Sequence, residues 1–261
     1  MASRSAQRGE PALQRVRSEV PGAQAELVAL DLADLSSVRA AAEDVASRTD
    51  RLDLLVDNAG VMAVPRQLTA DGFEQQLGTN HLGHFALTGR LLPLLLAAPA
   101  PRVVVVSSTA HRSGRMAFDD LMGERRYSRW GAYGQSKLAN LLFAGELSRR
   151  AQGRVLVASA HPGYAATNLQ TGQQNLLLEA AMKVGNLVIA QSDAQGACPS
   201  LYAATMPDVQ PDEYFGPALF ELRGSPKRVG RTPAAQDQAA AHLLWDESER
   251  LTGVTYDALA A

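Results

Sequence analysis

Tyr133 and Lys137 lie four residues apart in WGAYGQSKLANLLFAGEL (130–147). On a helix that spacing puts both on one face, so the ammonium can address the phenol. An ordinary tyrosine titrates near 10. Acid/base work near neutrality therefore needs its phenolate stabilised by a few pKa units, each worth about 1.4 kcal/mol, and a neighbouring cation acts in that direction. Ser108 ends the apolar run RVVVVSS (102–108). Ligands of open α/β sheets bind at the carboxyl ends of strands, so its hydroxyl could hold a substrate carbonyl. A Tyr-x-x-x-Lys pair alone is equally a solvated helix face, so its meaning depends on the elements that carry it.

From Glu26 onward, compact β-branched runs alternate with longer helical stretches, the pattern of a parallel sheet covered on both faces. Strands are expected at 26–32, 51–60, 102–108, 154–163 and, more weakly, 217–222. The continuous apolar run 103–106 suits a strand buried on both faces. Helices are expected at about 10–19, 35–48, 70–97, 130–151 and 193–205. Ser192 with Gln195 has the form of a capping box, and Thr69 with Asp71 supplies N-cap chemistry before the longest helix. Residues 207–235, with several prolines and glycines, read as ordered loops around one strand. The fold expected is α/β, a Rossmann-type doubly wound parallel sheet forming a single domain over 1–261, with about 164–217 as substrate-side lid and loops.

Composition narrows the function classes. The chain has 261 residues, 46% apolar and 20% charged, with a formal charge of −2. That excludes disorder, collagen and a disulfide scaffold. A lone cysteine, Cys198, forms no internal bridge, which points to a reducing cytoplasm. Near-neutral charge gives no footprint for nucleic acid, so small molecules are the expected partners. The apolar run 91–100 is interrupted by Pro93 and Pro99 and falls short of the ~20 residues of a membrane span. Glu10 and Glu19 spoil the acid-poor pattern of a transit peptide. His81 and His84 are three apart on a helix, yet no third ligand is suggested nearby; a structural pair is expected and no metal.

RVVVVSSTA, YGQSK, LVDNAG, GTNHLGHF and AHPGYAATNL occur in the order and spacing of the short-chain dehydrogenase/reductase family. The chain resembles that family from about residue 1 to its end. GTNHLGHFALT, ERRY, AYGQSKLANLLFA and LWDESERLTGV are similar to its retinol-dehydrogenase-like branch, as is the 25-residue gap from Ser108 to Tyr133. The resemblance implies an NAD(P)-dependent oxidoreductase acting on an alcohol or carbonyl substrate. By it, Tyr133 is the general acid/base, and Lys137 lowers its pKa and binds the nicotinamide ribose. Ser108, the second of the serine pair, orients the substrate oxygen while Ser107 faces away. Asn80 holds a water linking Lys137 to solvent. Asp31 is similar to the aspartate that receives the adenine amino group, and Asn58, Ala59 and Gly60 to the turn lining the adenine ribose. Pro162, Gly163 and Thr167 resemble the loop at the nicotinamide end. Structural readings stand beside these: Asp31 and Asp34 could simply initiate a helix, and Gly60 could simply make a turn. Two copies would pair, if at all, through the helices at 70–97 and 130–151. An apolar lid at 169–190 would imply a hydrophobic substrate, with a plain core helix as the other reading.

The pattern fails at the front. A dinucleotide fold needs a glycine-rich turn between its first strand and first helix, where backbone N–H groups meet the pyrophosphate. Before Glu26 the only glycines are Gly9 and Gly22. The chain therefore reads as N-terminally truncated by roughly thirty residues, about one βα unit plus a strand. The strands at 26–32 and 51–57 are then expected to face an empty central slot. With that piece in place, Arg4 would follow the second strand, where a guanidinium favours NADP over NAD, NAD remaining open; the other reading is a disordered terminal arginine. Asp57 stands where the family usually has Asn, and a carboxylate cannot donate the amide's hydrogen bond. The rival to an enzyme is a catalytically silent remnant that binds no dinucleotide and acts through protein association.

Overall fold

The computed structural model describes residues 1–163 and 192–259. In chain order the elements are β1 (Ala2–Ser3), α1 (Ala6–Glu19), β2 (Val28–Ala29), α2 (Leu35–Arg48), β3 (Leu54–Asp57) and α3 (Gln75–Leu77). A π-turn over Gly78–Leu82 joins α3 to α4 (Gly83–Leu96). There follow β4 (Arg102–Val106), α5 (Arg129–Ala151), β5 (Leu156–Ala160), α6 (Asp193–Thr205), β6 (Tyr214–Leu219), β7 (Arg223–Arg228) and α7 (Gln238–Thr252). This is the expected α/β arrangement with a mostly parallel sheet.

The sheet is in two parts. β1 and β2 form a parallel pair, and β3-β4-β5-β6-β7 form a second sheet, parallel except for the β6–β7 hairpin. Between the parts lies a cavity of about 620 Å³ whose walls include β1, β2 and β3. Among the described residues no strand pairs with the outer edge of β3, where Leu54 and Val56 are 38% and 39% exposed.

Several elements differ from expectation. β2 covers two residues rather than seven, because its ladder is limited to the two partners β1 offers. The last strand lies at 214–219 rather than 217–222, and the polar segment RGSPKR forms β7 as an edge, where Pro226 and charged residues are tolerated. α7, absent from the expected set, begins where the Asp237 side chain accepts the Ala240 N–H. Thr69 and Asp71 do not cap the long helix. Thr69 accepts from Phe73, Asp71 from Leu35 at the start of α2, and Glu74 caps α3 through the Gln76 and Leu77 N–H groups. Ser192 does cap α6.

The main core lies between the sheet and α4, α5 and α7. Phe85, Phe143, Trp245 and Tyr256 interlock there, with ring centroids 4.5 to 6.4 Å apart. The Tyr256 hydroxyl donates to the Phe85 carbonyl at 2.7 Å. α7 packs on the helices within 70–97 and 130–151, its Trp245 buried against Phe85 and Phe143. No described helix is long and apolar enough to cross a membrane. The proposed lid at 169–190 lies outside the described residues.

Candidate active site

Strand ends and one helix converge on the Ser108, Tyr133 and Lys137 cluster. β4 delivers Ser108 at its carboxyl end, where the hydroxyl accepts the Ala110 N–H and caps the 3-10 turn Thr109–Ser113. α5, started by Ser128, carries Tyr133 and Lys137 one turn apart on its buried face. The Lys137 ammonium lies 5.9 Å from the centre of the Tyr133 ring and donates to the Val106 carbonyl at 3.1 Å. Asn140 donates to the same carbonyl. Ser107 is buried and donates to the Lys137 carbonyl at 2.7 Å, so it braces the helix against the strand and leaves Ser108 as the hydroxyl facing Tyr133.

Electrostatics here departs from the expected arrangement. Burial pushes the Tyr133 phenol above its ordinary range, and the Ser108 hydroxyl draws it partly back. The expected lowering by Lys137 is not what this geometry gives. Burial depresses Lys137 itself to about 8, its ammonium donating to the neutral Val106 carbonyl.

Asn80 sits in the π-turn, a local widening that often marks functional sites. Its side chain accepts the Val61 N–H at 2.8 Å and donates to the Val61 carbonyl and the Ser136 hydroxyl, both at 2.9 Å. Its own carbonyl accepts from His84. These bonds make Asn80 a clamp on the Gly60–Val61 turn. A Cβ at Gly60 would stand 2.8 Å from the Asn80 Oδ1, so only glycine lets the turn approach so closely.

Arg4, Asp31, Asn58, Ala59 and Gly60 all line the cavity between the two sheets. Arg4 Nε is 4.0 Å from an Asp31 carboxylate oxygen, and that carboxylate also accepts the Ala33 N–H. Gly163 has φ +73°, and a Cβ there would meet the Leu222 carbonyl oxygen at 2.5 Å. Pro162 precedes it, while Thr167 lies outside the described residues. The histidine pair is committed elsewhere: His81 bonds Ser248, His84 bonds the Asn80 carbonyl, and burial holds them near 3 and 4 respectively. Asp57 is buried, accepts the Thr88 hydroxyl at 2.9 Å and is pushed up to about 7 by burial.

Sequence reading missed Ser136, Asn140, Arg112 and Glu221. Ser136 and Asn140 neighbour Lys137 on α5, where helical spacing could have found them. Arg112 and Glu221 are 109 residues apart and meet only in the fold.

The short chain dehydrogenase family profile matches residues 1–176. Retinol dehydrogenase 14 of Mus musculus is 40% identical over 97% of this chain and 78% of its own length. Polyprenol dehydrogenase of Mus musculus is 40% identical over 97% and 76%. A crystal structure of an uncharacterised protein from Mycobacterium paratuberculosis superposes with a TM-score of 0.78 and 44% identity, covering 98% of this chain and 84% of that one. A short chain dehydrogenase from Escherichia coli complexed with NADPH shares the fold at a TM-score of 0.63 and 23% identity, covering 82% of each chain. With its serine, tyrosine and lysine gathered at the end of a parallel strand, and with similarity running along nearly its whole length, the chain belongs to the short chain dehydrogenase family of oxidoreductases and resembles its retinol dehydrogenases.

Proposed function

We propose that the chain is an NADP-dependent oxidoreductase, working as one domain, that reduces the carbonyl of an apolar substrate to the alcohol. The observation that carries this reading is the convergence of Ser108, Tyr133 and Lys137 at the end of β4. Retinol and polyprenol, which name two relatives, are both apolar alcohols, and that supports the substrate class.

The residues present fit a dinucleotide in part. The glycine turn at 58–60, held open by Asn80, together with Arg4 and Asp31 on the opposite wall, suits its adenosine end. Arg4 supplies a fork for a 2′-phosphate, which favours NADP over NAD. Among the described residues no glycine-rich turn meets the pyrophosphate, and the facing edges of β1 and β3 are where one would enter.

When bound, the nicotinamide supplies hydride. Ser108 then holds the substrate oxygen, and Tyr133 donates its proton to that oxygen as negative charge develops there. Burial raises the Tyr133 phenol, so at neutral pH it carries the proton that carbonyl reduction consumes. Lys137, charged below about 8, would hold the nicotinamide ribose when the cofactor is bound. Asn80 keeps the 60–61 turn in place and offers its carbonyl's second lone pair to a relay water. The family match and the similarity to dehydrogenases along the chain do not favour the silent-remnant alternative.

The test is Tyr133→Phe assayed with NADPH and retinal. It should lose turnover by about 10²-fold or more at unchanged melting temperature. Normal turnover would overturn the assignment. Trp130, 6.0 Å from Tyr133 and half exposed, provides a fluorescence signal for NADPH binding independent of catalysis.

A further inference from the structure

The β6–β7 hairpin turns through two residues that rarely adopt its geometry. Phe220 and Glu221 have φ of 51° and 59°, closed by the Leu222 N–H donating to the Leu219 carbonyl at 3.0 Å. Glycine, asparagine and aspartate favour such a turn; phenylalanine and glutamate are strained in it. The strained conformation carries the Glu221 carboxylate to two other segments. Its oxygens accept from one Arg112 guanidinium nitrogen at 2.7 and 2.9 Å, and one of them lies 3.5 Å from the His161 Nε2.

Each partner belongs to an active-site segment. Arg112 sits in the 3-10 turn that follows Ser108, and in the same turn the His111 Nδ1 bonds the Ser108 carbonyl at 2.7 Å. His161 follows β5 and opens the Pro162–Gly163 loop. Its tautomer follows from its bonds. The Gly163 N–H donates to Nδ1 at 3.2 Å, so Nδ1 is the bare nitrogen and the proton resides on Nε2, facing Glu221. That Nε2–H is fully buried and makes no hydrogen bond among the described residues, with the Glu221 carboxylate beside it at 3.5 Å. A carboxylate next to a buried, otherwise unsatisfied imidazole N–H favours that tautomer and ring orientation electrostatically. Burial holds His161 down at about 4, so the pair works with a neutral ring. The hairpin also touches the loop directly, through Leu222 against Gly163.

We propose that Glu221 is a positioning residue: it ties the Ser108 turn, through Arg112, to the 161–163 loop, through His161, and so fixes the spacing between the Ser108 hydroxyl and that loop. The proposal rests on the functional reading above for its effect on turnover, while the coupling itself is a property of the fold.

Glu221→Gln keeps the shape and removes the charge. Turnover with NADPH and retinal should fall on the order of tenfold in kcat, with NADPH affinity and melting temperature unchanged. Arg112→Ala should have a similar effect, and the double variant should be no worse than either single one. Glu221→Asp should recover part of the loss, which a merely structural side chain would not give. Independently of turnover, imidazole and amide nitrogen NMR should show the Nε2–H tautomer at His161 in the parent. In Glu221→Gln, the His161 and Gly163 signals should both move. An inactive parent would defeat the functional reading, and NMR alone would then decide the coupling. Unmoved His161 and Gly163 signals, additive losses, or full kcat in Glu221→Gln from an active parent would overturn the proposal.

Discussion

Asp57 shows how one atom's difference becomes a stability effect. One carboxylate oxygen takes the Thr88 hydroxyl and the other is buried without a partner, and burial raises the group from 3.8 to about 7. Below pH 3.8 the side chain is protonated whether folded or unfolded, and the fold loses nothing. Between 3.8 and about 7 the unfolded chain gives up this proton while the folded carboxyl keeps it, so stability falls across that window and levels off above it. Asp57→Asn should therefore raise the melting temperature at pH 8, by the equivalent of up to about 4 kcal/mol, and change it little at pH 4. An equal effect at both pH values would show that packing rather than charge is responsible. Lys137 gives a second pH statement. Its ammonium is lost above about 8, so the rate of carbonyl reduction should fall as pH climbs through that value. A flat profile from pH 7 to 9 would show that the ammonium is not needed. The serine, tyrosine and lysine were legible because helical spacing and a strand end place them without knowledge of the whole fold. The direction of the phenol's shift was not, because burial is a property of the assembled molecule.

Elements with strong local signals were read to the residue. α2 has Asp34 at its cap, and α6 has Ser192, and both occupy the stretches their sequences mark. β7 and the turn before it carry no such signal, since RGSPKR has neither alternation nor β-branched residues and exists as a strand only because β6 offers it an edge. α7 was overlooked although seven of its fifteen residues are apolar, and Trp245 carries much of its packing. That ring stacks on Phe143 at 29° and 5.9 Å, meets Phe85 and Tyr256 at 5.2 and 4.5 Å, and has the Arg150 guanidinium over its face at 4.4 Å. Trp245→Ala should cost about 3–5 kcal/mol in chemical denaturation. A loss under about 1 kcal/mol would mean that α7 is not integral to the core.

Across the whole molecule, cooperativity should follow the division of the sheet. β4 and β5 have partners on both sides and valines buried against two helical layers, whereas β1 and β2 share a two-residue ladder. A ladder that short adds little stability of its own. In hydrogen exchange the amides of Val104 and Val157 should therefore be protected by close to the global unfolding free energy, and that of Val28 far less. Equal protection would show that the two parts unfold as one. The outer side of β3 has a practical sequel. Leu54 and Val56 present apolar side chains along a strand whose hydrogen-bonding groups on that side face no strand among the described residues, the arrangement that recruits strands from other molecules. Concentrated solutions should scatter light and grow thioflavin-positive fibres seeded from this edge, and a single lysine at position 54 should be enough to keep them clear.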